Sequence, residues 1–300
     1  MQKGNSKKKK PIPNFLYLSS GIDYELIDSG NRRKLERFGN CVIDRPEIEA
    51  NWDKGFDKNE WLSCDWRFYE EKGKTGHWTN KTNAENEWLI NYSYQDLSLN
   101  FKLKQTAFKH LGLFPEQAEN WKFIQRELAK YKGEVRVLNL FAYTGAASIV
   151  AAASGANVTN VDSVKQVLAW GKENAEINSI DTIRWILEDA RKFVKKALRR
   201  GDRFQGIIMD PPAFGYGAKR EKWKIESDLA ELLEDVSQLL HPKKHFFVLN
   251  TYSPKLPLSK LEKMLSEVER FPKKYDAKVL GLKSRTNQYL GLGNLIRFSK

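Results

Sequence analysis

The chain of 300 residues is poor in the side chains that bind metals or cross-link folds. It has two cysteines, Cys41 and Cys64, and four histidines. The cysteines are too far apart for a metal knuckle or a redox pair, and the histidines show no metal-ligand spacing, so no metal site is expected. So few cysteines also argue against a disulfide scaffold and fit a reducing cytoplasm. No apolar run approaches the length of a membrane span. The basic start is followed only by Phe15-Leu16-Tyr17-Leu18, too short a stretch for a signal peptide. Internal repeats are absent.

Positive charge, in contrast, is abundant. Lys and Arg number 51 against 38 Asp and Glu, a net charge of +13. Such a balance points to a polyanionic partner, with nucleic acid the default, although a basic surface can also have no partner. Part of the excess lies in residues 1–14, where Lys3 and Lys7-Lys8-Lys9-Lys10 read as a disordered basic tail. The hydrophobic share of 41% is enough for a sizeable core.

Residues 15–110 are dense in tryptophan, tyrosine and charge. Short alternating runs at Tyr24–Gly30, Cys41–Asp44, Trp61–Phe68 and Leu97–Leu103 predict a small, mainly antiparallel β-rich domain. Five of the nine tryptophans (Trp52, Trp61, Trp66, Trp78 and Trp88) fall there. Interleaved with Lys and Arg they could stack RNA bases, but tryptophans in a small β domain mostly build its core. From residue 111 onward the pattern changes to alternating helices and strands. A helix over 117–131 precedes strands at 135–140, 157–161, 183–187, 206–209 and 245–249, with helices between them, the last near 221–240 and 259–271. Two closing strands near 277–282 and 294–298 have no helix between them and should form a hairpin. This predicts an α/β fold with a doubly wound, mostly parallel seven-stranded sheet and ligands at the carboxyl ends of its strands.

Chemistry-bearing residues recur at those ends. The first strand runs into Phe141-Ala142-Tyr143-Thr144-Gly145, a tight turn with a glycine and small residues entering a helix. It contains a single glycine, so a G-x-G-x-x-G dinucleotide site is poorly supported. The second strand ends at Asp162-Ser163, about twenty residues on, where an acid can accept from a ribose diol. The third ends at Asp189-Ala190. Both acids also make ordinary helix caps, Asp189 being the weaker site candidate. The fourth runs into Asp210-Pro211-Pro212-Ala213-Phe214. Two prolines stiffen this turn and leave it an acid, free carbonyls and a ring, the groups needed to grip a planar base.

These stretches resemble the catalytic domain of bacterial large-subunit ribosomal RNA base methyltransferases, class I enzymes that use S-adenosylmethionine. The resemblance rests on Leu138–Gly145, Val161-Asp162-Ser163 and Asp210–Phe214 and covers roughly residues 110–300. It implies that Phe141, Tyr143, Thr144 and Gly145 line the methionine and ribose part of the cofactor. Asp162 would hold the ribose hydroxyls, and Ser163, Asp189 and Ala190 would surround adenine. Asp210 would lie between the methyl group and the target base, with the Pro211 carbonyl orienting the base and Phe214 stacking on it. Gln117 is a further cofactor-side candidate. The partner implied is RNA, ribosomal RNA first.

Methylation at carbon-5 of cytosine needs a cysteine nucleophile in the catalytic domain. Relatives with that activity carry it in the stretch that here reads Asn250-Thr251-Tyr252-Ser253, so a base nitrogen is the favoured acceptor. Two alternatives stand beside this reading: N-methylation of a protein or small molecule, and an RNA-binding protein with a degenerate site. Two basic stretches remain. Arg191–Arg200 reads as a solvated helix face rather than a phosphate track, and Ala218–Lys224, directly after the base motif, as a basic loop that could close over RNA or be an ordinary solvent-exposed loop.

Overall fold

Period two along the buried strands divides the interior into two cores. In the strand Arg136–Leu140, Val137 points to one side and Leu138 and Leu140 to the other. In Phe246–Thr251, Phe246 and Val248 oppose Phe247 and Leu249 in the same way. Strands apolar on both faces must be covered on both faces, and the helices do this. The computed structural model describes residues 14–71, 75–217 and 221–300. The expected tail up to residue 13, and Ala218-Lys219-Arg220, lie outside them.

The first part of the chain contains β1 (Phe15–Tyr17), β2 (Tyr24–Gly30), β3 (Arg33–Phe38), β4 (Cys41–Pro46), the short helix α1 (Lys58–Leu62), β5 (Trp66–Glu70), β6 (Gly76–Asn80), β7 (Glu87–Tyr94) and β8 (Leu97–Lys104). β2 to β6 form a five-stranded sheet in sequence order, and β7 and β8 a separate hairpin. The single alternating run expected over Trp61–Phe68 is instead a helix end followed by a strand. Asp57 explains this, since its carboxylate accepts from the Asn59 and Glu60 N–H groups and starts α1. Trp61 and Trp66 are buried, whereas Trp52, Trp78 and Trp88 are half-buried and donate their indole N–H groups to the Ser29, Thr106 and Phe38 carbonyls. All five are thus committed to the fold.

The second part contains α2 (Ala118–Leu128), β9 (Arg136–Leu140), α3 (Ala146–Ala153), β10 (Asn157–Asp162), α4 (Lys165–Ile177), β11 (Ile183–Leu187), α5 (Ala190–Arg200), β12 (Gly206–Met209), β13 (Phe214–Tyr216), β14 (Lys222–Lys224), α6 (Ile225–Leu239), β15 (Phe246–Thr251), α7 (Leu258–Glu267), β16 (Asp276–Lys283) and β17 (Tyr289–Ser299). The large sheet has the order β1-β16-β17-β15-β12-β9-β10-β11. Within it β17 runs antiparallel to both neighbours and the other pairings are parallel. The seven expected strands are present, and β1 from the amino-terminal segment adds an eighth at the edge. Residues of α5, α6 and α7 fill the core on one face, among them Phe193, Leu229 and Leu261. On the other face α2 and α3 share a continuous core with the amino-terminal strands, where Trp121 meets the rings of Tyr92 and Phe101 at 5.2 and 5.6 Å.

The helix expected near residue 221 begins at Ile225. Lys222–Lys224 instead returns antiparallel to Phe214–Tyr216, and the Ile225 N–H donates to the Ala213 carbonyl. The turn after β12 therefore continues into a hairpin.

Candidate active site

The strand order reverses between β9 and its neighbours β10 and β12, which opens a crevice above their carboxyl ends. Phe141, Asp162, Ser163, Asp189, Ala190, Pro212 and Trp223 line it. Residues from four separate strand ends thus meet in one place.

The turn after β9 is held in an unusual backbone path. Phe141, Tyr143 and Gly145 have φ of 56°, 52° and 75°, a region that residues other than glycine seldom occupy. Three bonds fix it. The Tyr143 N–H donates to the Asp162 carboxylate at 2.9 Å, the Ala142 N–H to the Val161 carbonyl, and the buried Thr144 hydroxyl to the Gly112 carbonyl at 2.6 Å. Gly145 is needed for a second reason. A Cβ there would lie 2.8 Å from the ring of Trp185. The glycine faces the packing layer, and Thr144 ties the turn to the segment before α2.

The acids along the crevice are already partly used. Asp162 accepts from the Tyr143 and Val164 N–H groups, two bonds on a carboxylate with room for about four. Burial raises its pKa, and the backbone N–H groups oppose that rise. Asp189 caps α5 through the Lys192 N–H and pairs with the Arg191 guanidinium. Arg191 also reaches Asp228 and lies over the Trp223 ring. The basic run of α5 is largely neutralised: Lys192 pairs with Glu221, Lys195 with Glu231, Lys196 with Glu188 and Arg200 with Asp202.

The other half of the site is different in kind. No hydrogen bond to the Asp210 side chain is found among the described residues, and burial followed by the charge of Glu116 pushes its pKa up to about 7. Pro211, the next residue, is buried. The Pro212 carbonyl is taken by the Trp223 indole N–H at 2.6 Å. Phe214 is 49% exposed beside this turn.

Glu116, Tyr252, Asn120 and Asn250 complete the polar wall, and sequence reasoning did not single them out as site residues. The Tyr252 hydroxyl donates to Glu116 at 3.1 Å and accepts from the Gln117 side chain at 2.9 Å. The Asn120 amide donates to Gln117 and Asn250. Glu116 is 3% exposed, and burial raises its pKa. Tyr252 is half-buried, and burial and the nearby acids hold its phenol well above the usual range. Among the described residues no hydrogen-bond partner is found for the buried Asn120 Oδ1, Asn250 Nδ2 and Thr251 hydroxyl. Tyr252 stands in the stretch where the resemblance would have put a cysteine, which was the one available signal for it. Phe114 bridges the two halves, with its ring 5.7 Å from Tyr143 and 5.8 Å from Tyr252.

The switch-point crevice, the acid ending the second strand and the Asp-Pro-Pro turn ending the fourth define a methyltransferase of the doubly wound α/β class. The family of S-adenosylmethionine-dependent methyltransferases matches residues 75–255, and the chain belongs to it. Its cofactor is S-adenosylmethionine. A SAM-dependent methyltransferase from Agrobacterium tumefaciens is 32% identical and superposes with a TM-score of 0.89 over 99% of this chain and 97% of that one. The SMU.776 methyltransferase, solved with SAH, shares the fold at 18% identity and a TM-score of 0.73, with 94% of this chain and 76% of that one covered. Among curated proteins, the ribosomal RNA large subunit methyltransferase K/L of Shewanella frigidimarina is 32% identical over 160 residues, 52% of this chain and 22% of that protein. The namesake from Shewanella sp. MR-4 is 32% identical over 197 residues, 64% of this chain and 27% of that protein. The chain spans about a quarter of the length of these curated relatives. No described helix is long and apolar enough to cross a membrane.

Proposed function

We propose that this enzyme methylates a base nitrogen of RNA, with ribosomal RNA the substrate suggested by the relatives' names. The observation that carries the reading is Asp210, an acid at the start of a rigid Asp-Pro-Pro turn to whose side chain no hydrogen bond is found among the described residues. The crevice suits S-adenosylmethionine. Asp162 keeps free lone pairs for the ribose hydroxyls, and Ser163, Asp189 and Ala190 flank the place for adenine. Phe141, Tyr143, Thr144 and Gly145 shape the turn against the rest of the cofactor, with Gln117 at its far end. When bound, the cofactor supplies a methyl group on a good leaving group, so the protein's task is mainly alignment. Asp210 and the Pro211 carbonyl accept from an amino or ring N–H group and aim the nitrogen lone pair. Asp210, in its ionised form, also takes the proton that the methylated nitrogen releases. Phe214 stacks on the base, which must leave any helix it occupies.

Nitrogen is preferred to carbon-5 of cytosine because both cysteines are buried in the amino-terminal strand region. Burial, with Asp65 nearby, pushes the Cys41 thiol up to about 12, and burial raises Cys64 as well. Neither is an activated nucleophile. The deciding experiment supplies radiolabelled S-adenosylmethionine to the purified enzyme and an extract from cells lacking it. The expected result is label in nuclease-sensitive material, absent with Asp210→Ala, and nucleoside analysis then names the atom. Label in protease-sensitive material instead would overturn the RNA reading.

A further inference from the structure

The hairpin β13–β14 has two unlike faces. Its register pairs Phe214 with Lys224, Gly215 with Trp223 and Tyr216 with Lys222. Side chains alternate along strands, so Gly215 and Trp223 share one face while Phe214, Tyr216, Lys222 and Lys224 share the other. The first face is closed. Trp223 is 3% exposed, holds the Pro212 carbonyl and lies 5.0 Å from the Phe141 ring. The second face is open. Phe214 and Tyr216 are 49% and 61% exposed, with rings 5.2 Å apart, edge to face. Both lysines are exposed, and no ion pair of either is found among the described residues.

A single exposed ring needs no explanation. Two adjoining rings flanked by two lysines, on a turn that starts at Asp210, form a stacking surface with charge for phosphates. The contrast with α5 is informative, because Lys192, Lys195 and Lys196 there form ion pairs with acids, whereas Lys222 and Lys224 form none among the described residues and Asp228 takes the Lys224 backbone N–H rather than its ammonium. The rings require unstacked bases, which a duplex does not offer.

We propose that the outer face of this hairpin, through Tyr216, Lys222 and Lys224, binds the single-stranded RNA adjoining the nucleotide that Phe214 receives. This rests on RNA being the acceptor. Tyr216 also borders the cofactor crevice, so the face begins where the site ends. One base would stack on Tyr216, and the lysines would meet the flanking phosphates.

The test is fluorescence anisotropy of the full chain with a labelled mixed-sequence oligoribonucleotide of about 12 nucleotides, within the usual footprint of such surfaces, over a salt series. Tyr216→Ala should weaken binding about tenfold and Tyr216→Phe should restore it, in line with stacking on one base. The double variant Lys222→Ala/Lys224→Ala should lower the slope of log K against log salt by about 1.4, with cofactor affinity unchanged. A duplex of the same sequence should bind more weakly than the single strand. Wild-type binding that neither Tyr216→Ala nor the lysine variant alters would overturn the proposal and leave the RNA reading standing. If the wild type binds no oligoribonucleotide and labels no RNA, both fail together.

Discussion

The two halves of the site differ in how their polar groups are occupied. On the side proposed to hold the cofactor, Asp162 holds two backbone N–H groups, Asp189 holds a helix terminus and an arginine, and Thr144 holds a carbonyl. On the side proposed to receive the base, no hydrogen bond to the Asp210 carboxyl is found among the described residues. The first half is assembled by the fold. The second leaves a partly buried carboxyl, and an N–H group of the acceptor can offset the cost of about 1–3 kcal/mol for such an unsatisfied group. A methyltransferase gains from this division, because its cofactor is always the same molecule while its acceptor must be captured and aligned each time.

Substitutions on the two sides should therefore fail differently. The largest effect is expected at Asp210→Asn, where methyl transfer should fall about 10²–10⁴-fold while cofactor affinity by calorimetry is retained. The same residue sets a pH limb. The accepting form of Asp210 is the anion, so kcat/KM of the wild type should fall as pH drops below about 7 and level off above it. The Asn variant should lack that limb. A limb unchanged in the variant would assign the titration to another group. Asp162→Ala should act on the other side, weakening cofactor binding by about 10–100-fold in the same calorimetric assay. If it lowers only the rate at saturating cofactor, the contrast between the halves is wrong. The smallest effect is expected at Gly145→Ala. A left-handed φ of 75° and a Cβ 2.8 Å from Trp185 should cost about 1–3 kcal/mol of stability. Chemical denaturation measures this, and an unchanged midpoint would show that the turn yields freely.

Much of the large sheet was legible in the sequence. β11 and β12 match the expected strands residue for residue, because an apolar run between polar breaks at this spacing has few other solutions. The hairpin Phe214–Lys224 was not legible, since Lys222-Trp223-Lys224 becomes a strand only when Trp223 reaches back to Pro212. Glu116 and Tyr252 were passed over because their hydrogen bond spans 136 residues of chain, and neither has a local pattern. The role of Gly145 was half legible. Its φ follows from a tight turn, but the ring of Trp185 behind it depends on tertiary packing. Asp162 and Asp189 showed both readings in advance, as site acids and as helix caps, and the structure gives each of them backbone N–H groups to hold.

The span recognised as the methyltransferase family ends at residue 255, yet β15 is zipped from Phe246 to Thr251 against β17, which lies at 289–299. β1 likewise closes β16 from the opposite end of the chain. A fragment trimmed to 75–255 would leave Phe246-Phe247-Val248-Leu249 as a bare, water-facing sheet edge, a ready template for another copy. Such a fragment should clump on expression, and the workable unit for biochemistry extends past both borders of the recognisable motif.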